Sequence, residues 1–244
     1  MTRAVQDIPE KVPEATEALL RPILERLRDY HHYRVQGLEH VPSHGAALIV
    51  LNHSLATYDI ILFGAQVYAA KQRLISSLAD RLIFKTPVLR QIAEHLGATE
   101  GRPEEARALL AAGRLVGVAP GGMREALRPV AERYQLSWEK RFGFVKLALE
   151  AQVPVILAAC PAADRIYTVI DNPITRFVYR RFRAPLPFAI GIGPLPRPIA
   201  LTTYVRAPIQ PPKLAGETPS REEVHAFHAV LVREMEKLMT HHDA

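Results

Sequence analysis

Two short apolar runs, at residues 46–51 and 115–119, each stop abruptly at a polar motif, and this pairing constrains the fold more than any other feature of the chain. A run of this length and composition reads as a buried strand. Asn52-His53-Ser54-Leu55-Ala56-Thr57-Tyr58-Asp59 follows the first, and Pro120-Gly121-Gly122-Met123-Arg124-Glu125-Ala126 follows the second. Open α/β sheets place their sites just past the carboxyl ends of strands. One motif brings an imidazole and a nearby carboxylate. The other brings a glycine turn with exposed backbone N–H groups and an arginine. A base and an anion cradle are the two halves of an acyl-transfer site.

Further strands are expected over 73–78, 153–159 and 200–206, and helices over 59–70, 87–96, 103–112 and 142–151. Ser220 opens a last helix with a capping box to Glu223, and Val224, Phe227, Leu231, Met235 and Leu238 form its buried stripe. Prolines among aromatics and arginines over 173–198 suggest irregular chain around one short helix. Strands alternating with helices predict a single-domain α/β sandwich, its sheet largely parallel or mixed and flanked by helices. The domain proper is expected over 37–244. Residues 1–36 supply an amphipathic helix that reads first as packed on its own core and alternatively as interfacial on a membrane.

Composition narrows the partners. Lysine and arginine exceed aspartate and glutamate by 31 − 25 = 6 in 244 residues, which favours nucleic acid, phosphorylated small molecules or an acidic membrane. No run approaches the ~20 apolar residues of a spanning helix, and Asp7, Glu10, Glu14 and Glu17 interrupt any secretory leader. The chain is thus expected to be soluble or to lie on a membrane without crossing it. Cys160 is the lone cysteine, which fits a reducing compartment.

Several motifs fail. Glycines 117 and 122 have P-loop spacing, but Met123 and Arg124 stand where lysine and serine or threonine are needed. Pro196 blocks a dinucleotide fingerprint at 191–193, and no Gly-x-Ser-x-Gly elbow exists. His225 and His228 lack the companions of a metal site and read as a solvated helix face. No metal and no recognised nucleic-acid motif is expected.

On a continuous helix, six positions rotate a side chain by about 240°, so Asp59 meets His53 only if the chain between them turns as a loop. His53 Nε2 is then the base for an acceptor hydroxyl, with Asp59 holding Nδ1–H. Asn52, Gly121, Gly122 and Arg124 are candidate substrate contacts, Arg124 and the turn receiving phosphate or a developing oxyanion, with Glu125 bracing Arg124. Arg102, ahead of a helix, either clamps the acceptor's polar head or is a solvated loop charge.

These residues resemble the glycerophospholipid acyltransferase superfamily, most of all its mono- and diacylglycerol acyltransferase-like branch, over about 37–212. The resemblance rests on Asn52-His53…Asp59, Ala79-Asp80-Arg81…Pro87, Leu96-Gly97…Arg102, the 120–126 motif and Gly143-Phe144-Val145-Lys146. It implies transfer of a fatty acyl group from coenzyme A or acyl carrier protein to a lipid hydroxyl, by a His–Asp pair without metal, cofactor or acyl-enzyme. The common family spacing is His-x4-Asp, whereas five residues separate the pair here. Gly121 and Met123 replace the Glu and Thr of the phospholipid-making Glu-Gly-Thr-Arg, which brings a neutral acylglycerol or long-chain alcohol beside lysophosphatidate as acceptor.

The stretch 174–183 interleaves four arginines with Phe177, Tyr179 and Phe182 and reads either as a packed helix or as an element meeting anionic lipid. The chain is therefore expected to be an acyltransferase, peripheral on the cytoplasmic face of a membrane. A thioesterase-like hydrolase and a non-catalytic lipid-binding module are the alternatives.

Overall fold

A computed structural model describes residues 5–81, 83–128, 130–169, 189–192 and 195–243. Strands β1 (Arg34–Gln36), β2 (Ala47–Leu51), β3 (Ile75–Ser77), β4 (Leu115–Val118), β5 (Val155–Ala159) and β8 (Thr202–Val205) form one sheet in the order β1-β8-β5-β2-β4-β3. β5, β2, β4 and β3 run parallel, while β8 is antiparallel to β5 and carries β1 parallel to itself. The sheet is therefore mixed, as the alternation of strands and helices predicted. A separate two-strand ladder joins β6 (Thr168–Val169) to β7 (Ala189–Ile190).

Every residue of β2 and β5 is buried, which requires cover on both faces of the sheet. Successive side chains of β2 alternate between two cores. Leu48 and Val50 pack with Leu109 of α4 (Pro103–Ala111), Phe144 of α6 (Gly143–Ala151) and Leu231 of α7 (Arg221–Met239). Ala47, Ile49 and Leu51 pack on the other face with Phe63 and Val67 of α2 (Tyr58–Lys71). Outside α2 lies α1 (Glu14–Tyr30), whose Leu24 and Leu27 join a third cluster. α3 (Pro87–His95) is tied to α1 by Thr16 Oγ1 and His95 Nδ1, 2.7 Å apart.

The helices sit within a residue or two of their expected bounds, and α7 has both halves of the Ser220–Glu223 capping box. β1 was not foreseen. Its three residues alternate exposed, half-buried, exposed, too little pattern to separate a strand from a loop. Because β1 pairs with β8, the segment drawn as 1–36 contributes its last residues to the common sheet. His228 also departs from the solvated face expected for it. It is buried, close to the rings of Phe142 and Phe144, with Nε2 at 3.0 Å from the Trp138 carbonyl oxygen, because α7 packs that turn onto α6. No helix among the described residues is long and apolar enough to cross a membrane. The short helix expected within 173–198 and the arginine–aromatic stretch 174–183 lie outside the described residues.

Candidate active site

β2, β4 and β5 are neighbours and parallel, so their carboxyl ends open on one edge. The loop from Asn52, the turn at Pro120 and the segment from Cys160 leave from that edge together. Asn52 is buried, and its Oδ1 accepts from the Cys160 N–H at 2.9 Å, tying the exit of β2 to the exit of β5. Asn52 thus braces the scaffold rather than offering its carbonyl to a substrate.

His53 is half-buried, with Nδ1 at 2.8 Å from the Ser54 carbonyl oxygen. A carbonyl can only accept, so Nδ1 carries the hydrogen and the neutral ring keeps its lone pair on Nε2. Among the described residues Nε2 has no hydrogen-bond partner. Burial disfavours the imidazolium and lowers the His53 pKa, more strongly than the Ser54 carbonyl raises it. Burial thus favours the neutral imidazole.

The direct His53–Asp59 contact expected from spacing is not what the structure has. Asp59 is buried in the first turn of α2 and accepts from Ser54 Oγ at 2.7 Å. Ser54 stands between the pair, its carbonyl holding the imidazole and its hydroxyl reaching the carboxylate. Thr57 closes the loop at φ +60°, where its N–H donates to Ser54 Oγ and its hydroxyl to Ser54 O, both at 3.3 Å. A β-branched residue in this left-handed region stores strain. With five intervening residues and this turn, the single Nδ1 hydrogen is taken by Ser54 before Asp59 can reach it. Burial, resisted by the Ser54 hydrogen bond, raises Asp59 to about 6.

The glycine turn also differs from expectation. α5 (Gly122–Ala126) folds Glu125 back into the protein, fully buried, with Oε1 accepting from the His53 N–H at 2.9 Å. Its Oε2 accepts from the Ser137 N–H at 3.2 Å. A Cβ on Gly121 would come within 2.0 Å of Glu125 Oε2, so any side chain there would expel the carboxylate. Gly122 donates its own N–H to the Ala119 carbonyl at 3.1 Å, which withdraws that donor from an anion. Arg124 is exposed and forms no hydrogen bond or ion pair among the described residues. Glu125 therefore does not brace Arg124. One helical turn places it beside Arg128 instead, Oε1 to Nη2 3.8 Å.

Arg128 and Asp164 escaped sequence reasoning. Arg128 Nη2 donates to the His53 carbonyl at 3.0 Å and to Asp164 Oδ1 at 3.1 Å, and Nη1 donates to the Gln135 carbonyl. Asp164 follows the end of β5, and its Oδ2 accepts from the Tyr134 N–H at 2.9 Å. The available signal was positional, since Asp164 stands past a strand end as His53 does. Arg102 is held by Glu100 at 2.8 Å ahead of α4 and makes no hydrogen bond or ion pair with the 52–59 loop among the described residues.

A groove of about 520 Å³ opens between α1 and α2, lined by Leu20, Leu24, Leu51, Ile60, Leu74 and Leu96 among others. Leu51 and Ile60, which flank the Asn52–Asp59 loop in sequence, both line this groove. Such a volume lies within the roughly 300–1,000 Å³ of small-molecule sites.

The acyltransferase family model matches residues 32–160. Proteins of Bos taurus and Homo sapiens named as a DGAT1/2-independent enzyme synthesizing storage lipids are 31% identical over 204 residues, 83% of this chain. The chain spans 60% and 61% of the length of those two relatives. The crystal structure of the 1-acyl-sn-glycerophosphate acyltransferase PlsC from Thermotoga maritima superposes with a TM-score of 0.54 at 18% identity, covering 93% of this chain and 84% of that one. That likeness is one of fold. With its strand order, its 52–59 loop and a family match over more than half its length, the chain belongs to the glycerolipid acyltransferase superfamily.

Proposed function

We propose that the protein transfers a fatty acyl group from a thioester of coenzyme A or acyl carrier protein to the hydroxyl of a glycerolipid or related lipid, with His53 as general base. The observation that carries this reading is the Ser54 carbonyl on Nδ1, which leaves the Nε2 lone pair free, on a loop whose flanking residues Leu51 and Ile60 line an apolar groove. Nε2 takes the hydroxyl proton as the acceptor oxygen attacks the thioester carbonyl. The tetrahedral adduct collapses by breaking the C–S bond, and the departing thiolate takes the proton back from the imidazolium. The Ser54 carbonyl steadies that imidazolium directly, and Asp59 steadies it through Ser54.

The groove receives the acyl chain. Arg124, solvent-facing next to the turn, meets phosphate on the donor or acceptor, and Arg102 serves the acceptor head in the same way. The storage-lipid name of the vertebrate relatives and the Pro-Gly-Gly turn both favour a neutral acylglycerol acceptor over lysophosphatidate. Leu19 and Ile23 on α1 and Val88 and Leu89 on α3 are at least half exposed. Together with the positive charge of the chain they support peripheral docking on an anionic membrane, at its cytoplasmic face.

Purified protein incubated with labelled acyl-coenzyme A and lysophosphatidate, monoacylglycerol, diacylglycerol or a fatty alcohol tests the reading. An ester product that disappears in His53→Ala is the expected result. Free fatty acid formed without acceptor would make the protein a hydrolase, and a His53→Ala protein with parental turnover would overturn the base.

A further inference from the structure

Three buried ionisable side chains, all far from His53 in sequence, converge on its main chain. The side chains of Glu125, Arg128 and Asp164 are at most 4% exposed. Burying ions is costly, and a loop can be tied down by apolar packing at less expense. What these ions hold is specific. Glu125 accepts the His53 N–H, Arg128 donates to the His53 carbonyl, and Asp164 holds Arg128 in place.

We propose that Glu125 and Arg128 are positioning residues for acyl transfer, gripping the two peptide planes that flank His53 so that Nε2 has one direction. The argument rests on reading His53 as the base. The plane carrying the His53 N–H sets φ, the plane carrying its carbonyl sets ψ, and the Ser54 carbonyl on Nδ1 sets the ring. Together these contacts leave the imidazole no free torsion. The first glycine of the Pro-Gly-Gly turn then has a defined purpose, because only the absence of a Cβ lets Glu125 fold over it to reach His53.

A misplacement of about 1 Å at a reacting group costs on the order of 10²-fold in rate. Glu125→Gln loses one of two acceptors, because its amide nitrogen faces a backbone N–H. Arg128→Lys replaces a fork with a single point donor. Each is expected to lower kcat by about 10- to 100-fold, with KM changed less than about twofold. Far-UV circular dichroism and melting confirm that the compared proteins are folded, and either variant alone suffices for the kcat test.

The pH profile separates positioning from mere support. The charges facing the imidazole are Glu125 and Arg128, with Asp59 behind Ser54 and Asp164 behind Arg128. Glu125 favours the imidazolium and Arg128 opposes it. The acidic limb of kcat should therefore move to lower pH in Glu125→Gln and to higher pH in Arg128→Gln. Parental kcat in folded Arg128→Lys, or parental kcat and an unmoved limb in folded Glu125→Gln, with His53→Ala inactive, would overturn the clamp and leave the base standing. Parental activity in His53→Ala would remove the base and the clamp with it.

Discussion

Arginines hold backbone carbonyls at both ends of the central strands, to different ends. At the amino ends of β2, β3 and β4, Arg73 donates to Pro42 O at 2.9 Å and to Gly45 O and Gly113 O at 2.7 Å, joining three turns. Arg114 likewise reaches the carbonyls of Ile8 and Pro9. These guanidiniums meet neutral oxygens, and Glu10, 3.6 Å from Arg114, is exposed. At the carboxyl ends Arg128 meets two buried carboxylates, and the carbonyl it holds belongs to a histidine. One end is stitched by buried and half-buried guanidiniums on neutral main-chain oxygens. The other concentrates buried ions, a strained Thr57 and raised carboxyl pKa values at Asp59, Glu125 and Asp164. Such a cluster is costly for stability and suited to chemistry.

The largest test of that contrast is His53→Ala, which should lower kcat by ~10²–10⁴-fold while melting stays near parental. Arg73→Ala should do the reverse, losing about 2–3 kcal/mol of stability in denaturant titration with kcat unchanged. A fall in kcat there would erase the distinction between the two ends.

Asp59→Asn sharpens it further. The folded pKa of about 6 stands above the ordinary 3.8, so the contribution of Asp59 to stability is full below 3.8 and lost as pH rises through 6. The amide keeps an acceptor for Ser54 and removes the buried charge. The variant should melt higher than the parent at pH 8, by about 3 kcal/mol at most, with the gain gone by pH 4, while turnover falls. A lower melting temperature at pH 8 would show that the charge supports the fold.

The parental rate should decline with acid through a midpoint below the ordinary histidine 6.5, the direction in which burial moves His53. The smallest effect belongs to Arg124→Ala, a few-fold rise in KM with stability untouched, in keeping with an exposed guanidinium.

Much of the scaffold was legible in the chain. The apolar runs of β2, β4 and β5 advertise strands covered on both faces, and the Ser220–Glu223 box marks the start of α7. The place of His53 and Glu125 past strand ends was legible for the same reason, since it is a property of adjacent residues. Arg128 and Asp164 were not, because charged residues in a turn look solvated until the fold closes over them. Arg124 and Glu125 look like partners on paper, yet α5 sends one to solvent and the other to the core.

Local pattern by itself determined which segments are strands and helices and that the polar motifs gather at one sheet edge, because periodicity and strand direction are carried by neighbours in the chain. Tertiary structure alone decided that Ser54 stands between His53 and Asp59, and that Arg128 rather than Arg124 meets Glu125. Those pairings depend on which charges lose water when distant loops meet, and the free energy of a buried ion is set by the groups brought around it.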